Sequence, residues 1–211
     1  EVRLFFDSRQ YARGYARNRL LSAVLSQKEA ILNAIRTYDP EICCFSCVTA
    51  TYQWGIEMAE AIKKDVGCKI VFGGIHATLM PEEVKKHKFI DDVVVGDGLS
   101  YFDGEFKPDE LWPDREIFFK ELPPICREVQ LFMTSFGCPF NCSFCGNEQL
   151  RAVKQYKYIK RTVDGCIAEL MDMKKHGMKY VLFVDDILTV DKKWFLEFTN
   201  EYKTSINPCD K

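Results

Sequence analysis

The sequence lacks an excess of positive charge: 29 Lys and Arg stand against 31 Asp and Glu, a formal net charge of -2. A nucleic-acid binder carries a strongly basic face, so no nucleic-acid partner is expected. No run approaches the ~18 consecutive apolar residues of a membrane span, because charges interrupt every candidate. No signal peptide is expected either, since the sequence begins Glu1-Val2-Arg3 with charges around its first strand. An initiator Met is lacking too, and the natural start is expected upstream.

Cysteine, by contrast, is plentiful, with ten residues. They do not read as a disulfide framework, since the chain is neither short nor loop-rich and most of them sit on apolar periodic segments. A reducing compartment follows as the default, and a cytoplasmic location with it. Cys43, Cys44 and Cys47 fall in the run Ile42–Val48 and Cys166 on a helix face, where a free thiol behaves as a small hydrophobe. Cys68, Cys126 and Cys209 are isolated; Cys138, Cys142 and Cys145 are clustered.

Strand and helix alternate along the first half. Val2–Phe6 reads as a short strand closed by Asp7-Ser8, and Arg9–Ser22 is weakly patterned. Gln27–Tyr38 carries Ile31, Ala34, Ile35 and Tyr38 at helical spacing until Asp39-Pro40 stops it. Glu41–Val48 shows no alternation, as expected of a strand buried on both faces of a parallel sheet. Gln53–Val66 returns to helix, and Lys69–Phe72 and Val93–Val95 are strands ending on Gly73-Gly74 and Gly96-Asp97-Gly98. Pro81-Glu82-Glu83 starts a helix. The fold class expected over residues 1–105 is therefore α/β, a doubly wound parallel sheet. Its first strand reads as the second of the sheet.

Pro108, Pro113, Pro123 and Pro124 mark residues 106–129 as a linker. Two strand–helix repeats follow in residues 130–211. The strands are Gln130–Ser135 and Lys179–Val184; the helices are Thr162–His176, with Val163, Cys166, Ile167 and Leu170 on one face, and Lys192–Tyr202. A complete (β/α) barrel needs more repeats, so a fragment cut at both ends is expected.

The strand Gln130–Ser135 runs into Phe136-Gly137-Cys138-Pro139-Phe140-Asn141-Cys142-Ser143-Phe144-Cys145. Three thiols within eight residues can converge on one metal centre. Iron–sulfur clusters take Cys thiolates, usually four, and here no fourth is obvious, Cys166 lying on an apolar helix stripe. Three protein ligands leave one iron open, which a catalytic metal site needs. Structural zinc would want a fourth Cys or His at close spacing, and His176 is the only later His. Three unrelated buried cysteines do not suit a segment made turn-like by Pro139, Asn141 and Ser143.

Cys138-x3-Cys142-x2-Cys145, with Phe144 before the last Cys, resembles the signature of the radical S-adenosylmethionine (SAM) superfamily. The resemblance implies the start of a partial (β/α) TIM-type barrel, a [4Fe-4S] cluster on the three Cys, and an open iron chelating SAM. It further implies reductive cleavage of SAM to a 5'-deoxyadenosyl radical, with an electron donor such as flavodoxin or ferredoxin and a small-molecule or natural-product substrate. Phe144 would lie near the adenine. Asp185 and Asp186, at the end of the second barrel strand, occupy the place where the family holds the methionyl amine; a strand-end pair shaping a turn is the plainer alternative. Lys160-Arg161-Thr162 resembles a basic landmark before the first barrel helix, or a helix start with Thr162 as N-cap. Many relatives have Arg where Phe136 stands.

Gly73-Gly74-Ile75-His76-Ala77-Thr78 through Val84, with Gly96-Asp97-Gly98 downstream, resembles the domain that precedes the barrel in cobalamin-binding-type radical enzymes. Ser46, Thr49, Gly73, Gly74, His76 and Thr78 would line its ligand edge, at the carboxyl ends of the strands; an ordinary α/β turn with capping hydroxyls explains them as well. The Asp-x-His-x2-Gly motif that supplies a lower-axial His in some cobalamin proteins is absent, and His76 follows the wrong strand to replace it. With cobalamin bound, methyl transfer to an unactivated carbon is the expected reaction, though relatives also perform cyclisations and rearrangements. Some relatives keep the domain without cobalamin. Two rivals stay open: a methylthiotransferase-like radical enzyme and a non-catalytic iron–sulfur electron carrier. The first usually needs a second cluster, and Cys43, Cys44 and Cys47 on one strand point to alternate faces.

Overall fold

Parallel strands need a crossover between them, and the helical stretches of this chain supply it three times among the described residues. The structure is a computed structural model that describes residues 2–3, 28–121, 125–153 and 157–206. Residues 4–8 of the expected first strand and its stop, the stretch Arg9–Ser22, Pro123, Pro124 and Cys209 lie outside the described residues. The chain divides into two compact units, residues 5–104 and residues 105–211 with 1–4.

In the first unit, α1 (Lys28–Tyr38) ends at Asp39, whose φ of 50° breaks the helix before Pro40. Strand β1 (Ile42–Ser46), α2 (Thr49–Asp65), β2 (Lys69–Gly73), α3 (Gly74–Leu79), α4 (Pro81–Val84) and β3 (Asp92–Val93) follow. The strands form one parallel sheet in the order β1-β2-β3, with Ile42 opposite Lys69 and Val71 opposite Asp92. Helix α2 lays Ile56, Met58, Ala59 and Ile62 on the core, where they meet Ile70 and Phe72 of β2 and Ile31, Leu32 and Ile35 of α1. Phe72 is fully buried and stacks on Phe45 at 4.8 Å. Burying such a side chain stabilises the unit by about 1.5–3 kcal/mol. Strand β1 departs from the expected burial on both faces: its residues alternate between exposed and half-buried. Among the described strands it is one of the two outer strands of the sheet, and Ile42, Cys44 and Ser46 lie open.

In the second unit, α5 (Arg115–Glu121), α6 (Ile125–Glu128), β4 (Val129–Phe132), β5 (Ser135–Phe136), α7 (Asn147–Ala152), β6 (Ile159–Lys160), α8 (Val163–Lys175), β7 (Tyr180–Phe183) and α9 (Lys192–Glu201) follow in turn. β4 and β7 pair in parallel, Val129 opposite Tyr180 and Phe132 opposite Phe183, with α8 in the connection between them. Thr162 caps α8 by accepting from the Gly165 N–H, and Asp191 caps α9 by accepting from the Trp194 N–H. Cys166, Leu170 and Met173 of α8 are fully buried against Phe132, Trp194 and Phe198. The helices cover one face of the β4–β7 pair. On the other face Val129, Leu131, Tyr180 and Leu182 are exposed.

The segment expected as a linker is tied into this unit. Arg115 and Arg161, both buried, share the two oxygens of buried Glu169, and Arg115 also donates to Gln130 Oε1 at 3.3 Å. Asp109 accepts from Thr162 N at 3.1 Å and Thr162 Oγ1 at 3.0 Å, closing the start of α8. A side chain at Gly165 would overlap Asp109. No helix among the described residues is long and apolar enough to cross a membrane.

Candidate metal and cofactor site

The strand expected over Gln130–Ser135 divides at Met133-Thr134. Beyond β4, the Thr134 N–H turns from the sheet and donates to the Asp185 carboxylate, 2.9 Å to Oδ1 and 3.1 Å to Oδ2. The hydroxyls of Thr134 and Ser135 donate to the same Oδ1 at 2.7 and 2.8 Å. β5 then pairs antiparallel with β6, and Phe136 packs edge-on to Phe106 at 4.8 Å. Gly137 turns the chain into the cysteine loop with a φ of 74°, a conformation that glycine adopts without strain.

Cys138 is buried at the loop's root, while Cys142, Cys145 and Phe144 are exposed, Phe144 by 91%. A tight turn joins two of the thiol-bearing residues, the Cys145 N–H donating to Cys142 O at 3.0 Å. Arg151 of α7 reaches back, Nη2 donating to Asn141 Oδ1 at 2.7 Å and Nη1 to Cys138 O at 3.5 Å. Sequence reasoning missed Arg151, because one Arg on a short helix carries no spacing signal. Asp186 accepts from Asn147 Nδ2 at 3.2 Å, just past the last Cys. The strand-end pair therefore brackets the loop, Asp185 where it begins and Asp186 where it ends. The three thiols share this loop without converging: among the described residues no three His, Cys, Asp or Glu side chains are gathered closely enough to hold a metal ion.

In the first unit the carboxyl ends of β1 and β2 are stapled together. The Cys47 N–H donates to Gly73 O and the His76 N–H to Cys47 O, both at 3.0 Å. Gly74 has a φ of 86°, and a Cβ there would lie 2.8 Å from Cys47 N. His76 is buried, its Nδ1 3.1 Å from Thr49 Oγ1 and its ring stacked on Tyr52 at 4.0 Å. Among the described residues, His76 Nε2 and the Tyr52 hydroxyl are buried without a hydrogen-bond partner. Thr78 is committed inward, donating to Gly74 O at 2.9 Å and accepting from Gly96 N at 3.1 Å. Of the six residues expected on this edge, Ser46 and Thr49 are exposed, Gly73 and Gly74 are partly covered, and His76 and Thr78 lie inside. Tyr52 was missed, although its place one helical turn after Thr49 puts the two on one face.

Of the other thiols in the first unit, Cys43 on β1 is half-buried, Cys44 is exposed, and Cys47, just past the strand, is buried. Burial pushes the Cys43 thiol up to about 12, with its hydrogen bond to Cys68 adding to this. Burial likewise raises Cys47 to about 11.

Residues 13–104 match the B12 binding domain. The expectation of a cobalamin-binding-like α/β domain is met at that level, and the match ends before the cysteine loop. Among curated proteins, the chain is similar to the uncharacterized methyltransferase PH0819 of Pyrococcus horikoshii, at 26% identity over 82% of this chain and 45% of that protein. It is similar to the anaerobic magnesium-protoporphyrin IX monomethyl ester cyclase of Rubrivivax gelatinosus, at 26% identity over 82% of this chain and 38% of the cyclase. The cyclase of the same name from Cereibacter sphaeroides is 25% identical over 82% of this chain and 34% of its own length. The chain thus spans less than half the length of these relatives. No solved structure matches it.

Proposed function

We propose that this chain is part of a radical SAM enzyme that carries a B12 binding domain ahead of its cluster-binding loop. The observation that carries the reading is the cysteine loop itself. Three free thiols at x3 and x2 spacing follow the carboxyl end of parallel strand β4 by way of the short β5, and the two carboxylates just past the neighbouring strand β7 hold the loop at its start and its end. The donor set fits a [4Fe-4S] cluster in type and number, with one iron left for SAM. Cys142 and Cys145 are exposed, so ligation would not have to draw their thiols out of a packed core. When bound, the cluster would supply the electron that cleaves SAM. The chain's own part is to hold three thiolates, to offer Phe144 to the adenine and a strand-end carboxylate to the amine. The bare apolar face of β4 and β7 supports a barrel, since parallel strands are otherwise covered on both faces.

Cobalamin is the second cofactor of this reading. The donors present fit it: the edge bears glycine backbone where no side chain could stand, two exposed hydroxyl side chains, and buried polar atoms of His76 and Tyr52 without partners. Methyl transfer or cyclisation, the activities in the relatives' names, is the reaction class proposed, on a small-molecule substrate. The test is anaerobic reconstitution with iron and sulfide, followed by low-temperature EPR with and without SAM. A [4Fe-4S] signal that SAM perturbs and Cys142→Ala abolishes supports the proposal; zinc uptake without a cluster sinks it. A cluster indifferent to SAM favours the electron carrier.

A further inference from the structure

Resting on the cluster-binding part of the radical SAM reading, we propose that Arg151 is a positioning residue for the cluster: it clamps the span between the first two cysteines of the loop and keeps a positive charge beside their thiolates. No spacing in the sequence marks either role.

Cys138 and Cys142 start from opposite surroundings, the first buried at the loop's root and the second exposed. Pro139, Phe140 and Asn141 lie between them, all exposed. Arg151 of α7 bridges this span at both ends. Its Nη2 donates to Asn141 Oδ1 at 2.7 Å, and its Nη1 donates more weakly to the Cys138 carbonyl at 3.5 Å. A planar guanidinium fork can hold two such acceptors at once, which an ammonium cannot do in the same geometry. The helix that carries Arg151 is itself anchored, because Asn147 at its start donates to Asp186 just past β7, at 3.2 Å. The chain leaving the cysteine loop therefore returns to brace the chain entering it. Outer groups that orient metal ligands change metal affinity strongly when removed.

Charge gives the same side chain a second effect. No Lys or Arg stands in the sequence between Arg127 and Arg151. The groups bonded around the loop include the carboxylates of Asp185 and Asp186. Ligation adds three thiolates to that negative charge, and reduction of a cluster adds one more. A guanidinium tied to Asn141 offsets part of this charge, and favours the reduced cluster over the oxidised one.

The test compares wild type, Arg151→Gln, Arg151→Lys and Asn141→Ala after anaerobic reconstitution of the 211-residue chain with iron and sulfide. The readouts are the rate at which a chelator strips iron and the midpoint potential from a dithionite titration followed by EPR. Arg151→Gln is expected to lose iron about tenfold faster. It should also favour the oxidised cluster by about threefold, a midpoint roughly 28 mV lower for a one-electron couple. The shift is modest because Arg151 is partly exposed and water screens its charge. Arg151→Lys should restore the potential but not the iron retention, since the charge returns without the fork. Asn141→Ala should lose iron faster than wild type at close to the wild-type potential. Wild-type iron loss in Arg151→Gln overturns the clamp, and a wild-type potential in the same variant overturns the role of the charge. Should Arg151→Gln fail to fold, wild-type iron loss in both Arg151→Lys and Asn141→Ala overturns the clamp. A wild type that takes up no cluster overturns this inference and the radical SAM reading together. A wild-type cluster whose EPR signal SAM leaves unperturbed overturns that reading alone, while iron loss and potential still decide Arg151.

Discussion

The Asp185 carboxylate and the Thr134 hydroxyl, 51 residues apart in sequence, stand 2.7 Å from each other at the carboxyl ends of β7 and β4. This bond is charge-assisted and its donor is almost wholly buried, so it contributes to stability as well as to the site. Thr134→Val keeps the shape and the backbone N–H bond and removes only the hydroxyl. The expected loss is about 1.5–3 kcal/mol. A urea titration followed by far-UV circular dichroism should show a lower midpoint with an unchanged slope.

The Arg115–Glu169–Arg161 cluster makes a second, larger prediction. Both guanidiniums are buried, and Glu169 is the anion they share. Asp109 and Asp172 each give one Arg a weaker partner at 3.4 Å. Glu169→Leu leaves two buried cations without that anion, which should cost about 3–5 kcal/mol. Trp194, whose indole N–H donates to Arg161 O at 2.9 Å, lies in this core. Its fluorescence should report unfolding of the second unit at markedly lower denaturant.

In the first unit, Gly74 tests how closely the ends of β1 and β2 must approach. Its φ of 86° and the Cys47 backbone 2.8 Å from a would-be Cβ leave no room for alanine. Gly74→Ala should destabilise the first unit by about 2–4 kcal/mol, combining left-handed strain with displacement of packed backbone. Gly67 has a φ of 76° but nothing within 4 Å of a Cβ. Gly67→Ala should therefore cost only the strain, about 1 kcal/mol. Thermal melts of the two variants compare the two effects directly.

Much of this was legible in the sequence wherever a local rule decides. The stop at Asp39-Pro40 and the Thr162 cap each follow from a single side chain or turn, and each stands as expected. The spacing of Cys138, Cys142 and Cys145 placed them in one loop after a strand, and the structure keeps them there. What the sequence hid was long-range pairing. Arg115 finds Glu169 at a separation of 54 residues, and nothing local marks either as buried. For the same reason Pro-rich residues 106–129 read as a linker, although Asp109 and Arg115 anchor them in the second unit. The break at Thr134 was equally hidden, because it depends on Asp185 competing for an N–H that the strand would otherwise use. Exposure of β1 depends on which strands flank it, which periodicity cannot tell.

The buried thiol of Cys166 makes stability depend on alkaline pH, in a direction fixed by its environment. Burial raises it from its ordinary 9.0 to about 12, more strongly than the neighbouring Arg161 lowers it. Below pH 9 the thiol is protonated in both the folded and the unfolded chain and contributes no pH dependence. Between pH 9 and 12 the unfolded chain binds fewer protons than the folded one, so stability falls as pH rises. The loss attributable to this thiol should be on the order of 2–3 kcal/mol by pH 11. Cys166→Ala starts lower, because it opens a cavity at a fully buried position between Leu170 and Phe132 in the same core. Its stability should then decline less steeply than that of wild type between pH 9 and 11. Urea midpoints at pH 7, 9, 10 and 11 decide it: parallel curves would mean that the folded thiol ionises as freely as the unfolded one, and that burial does not govern Cys166.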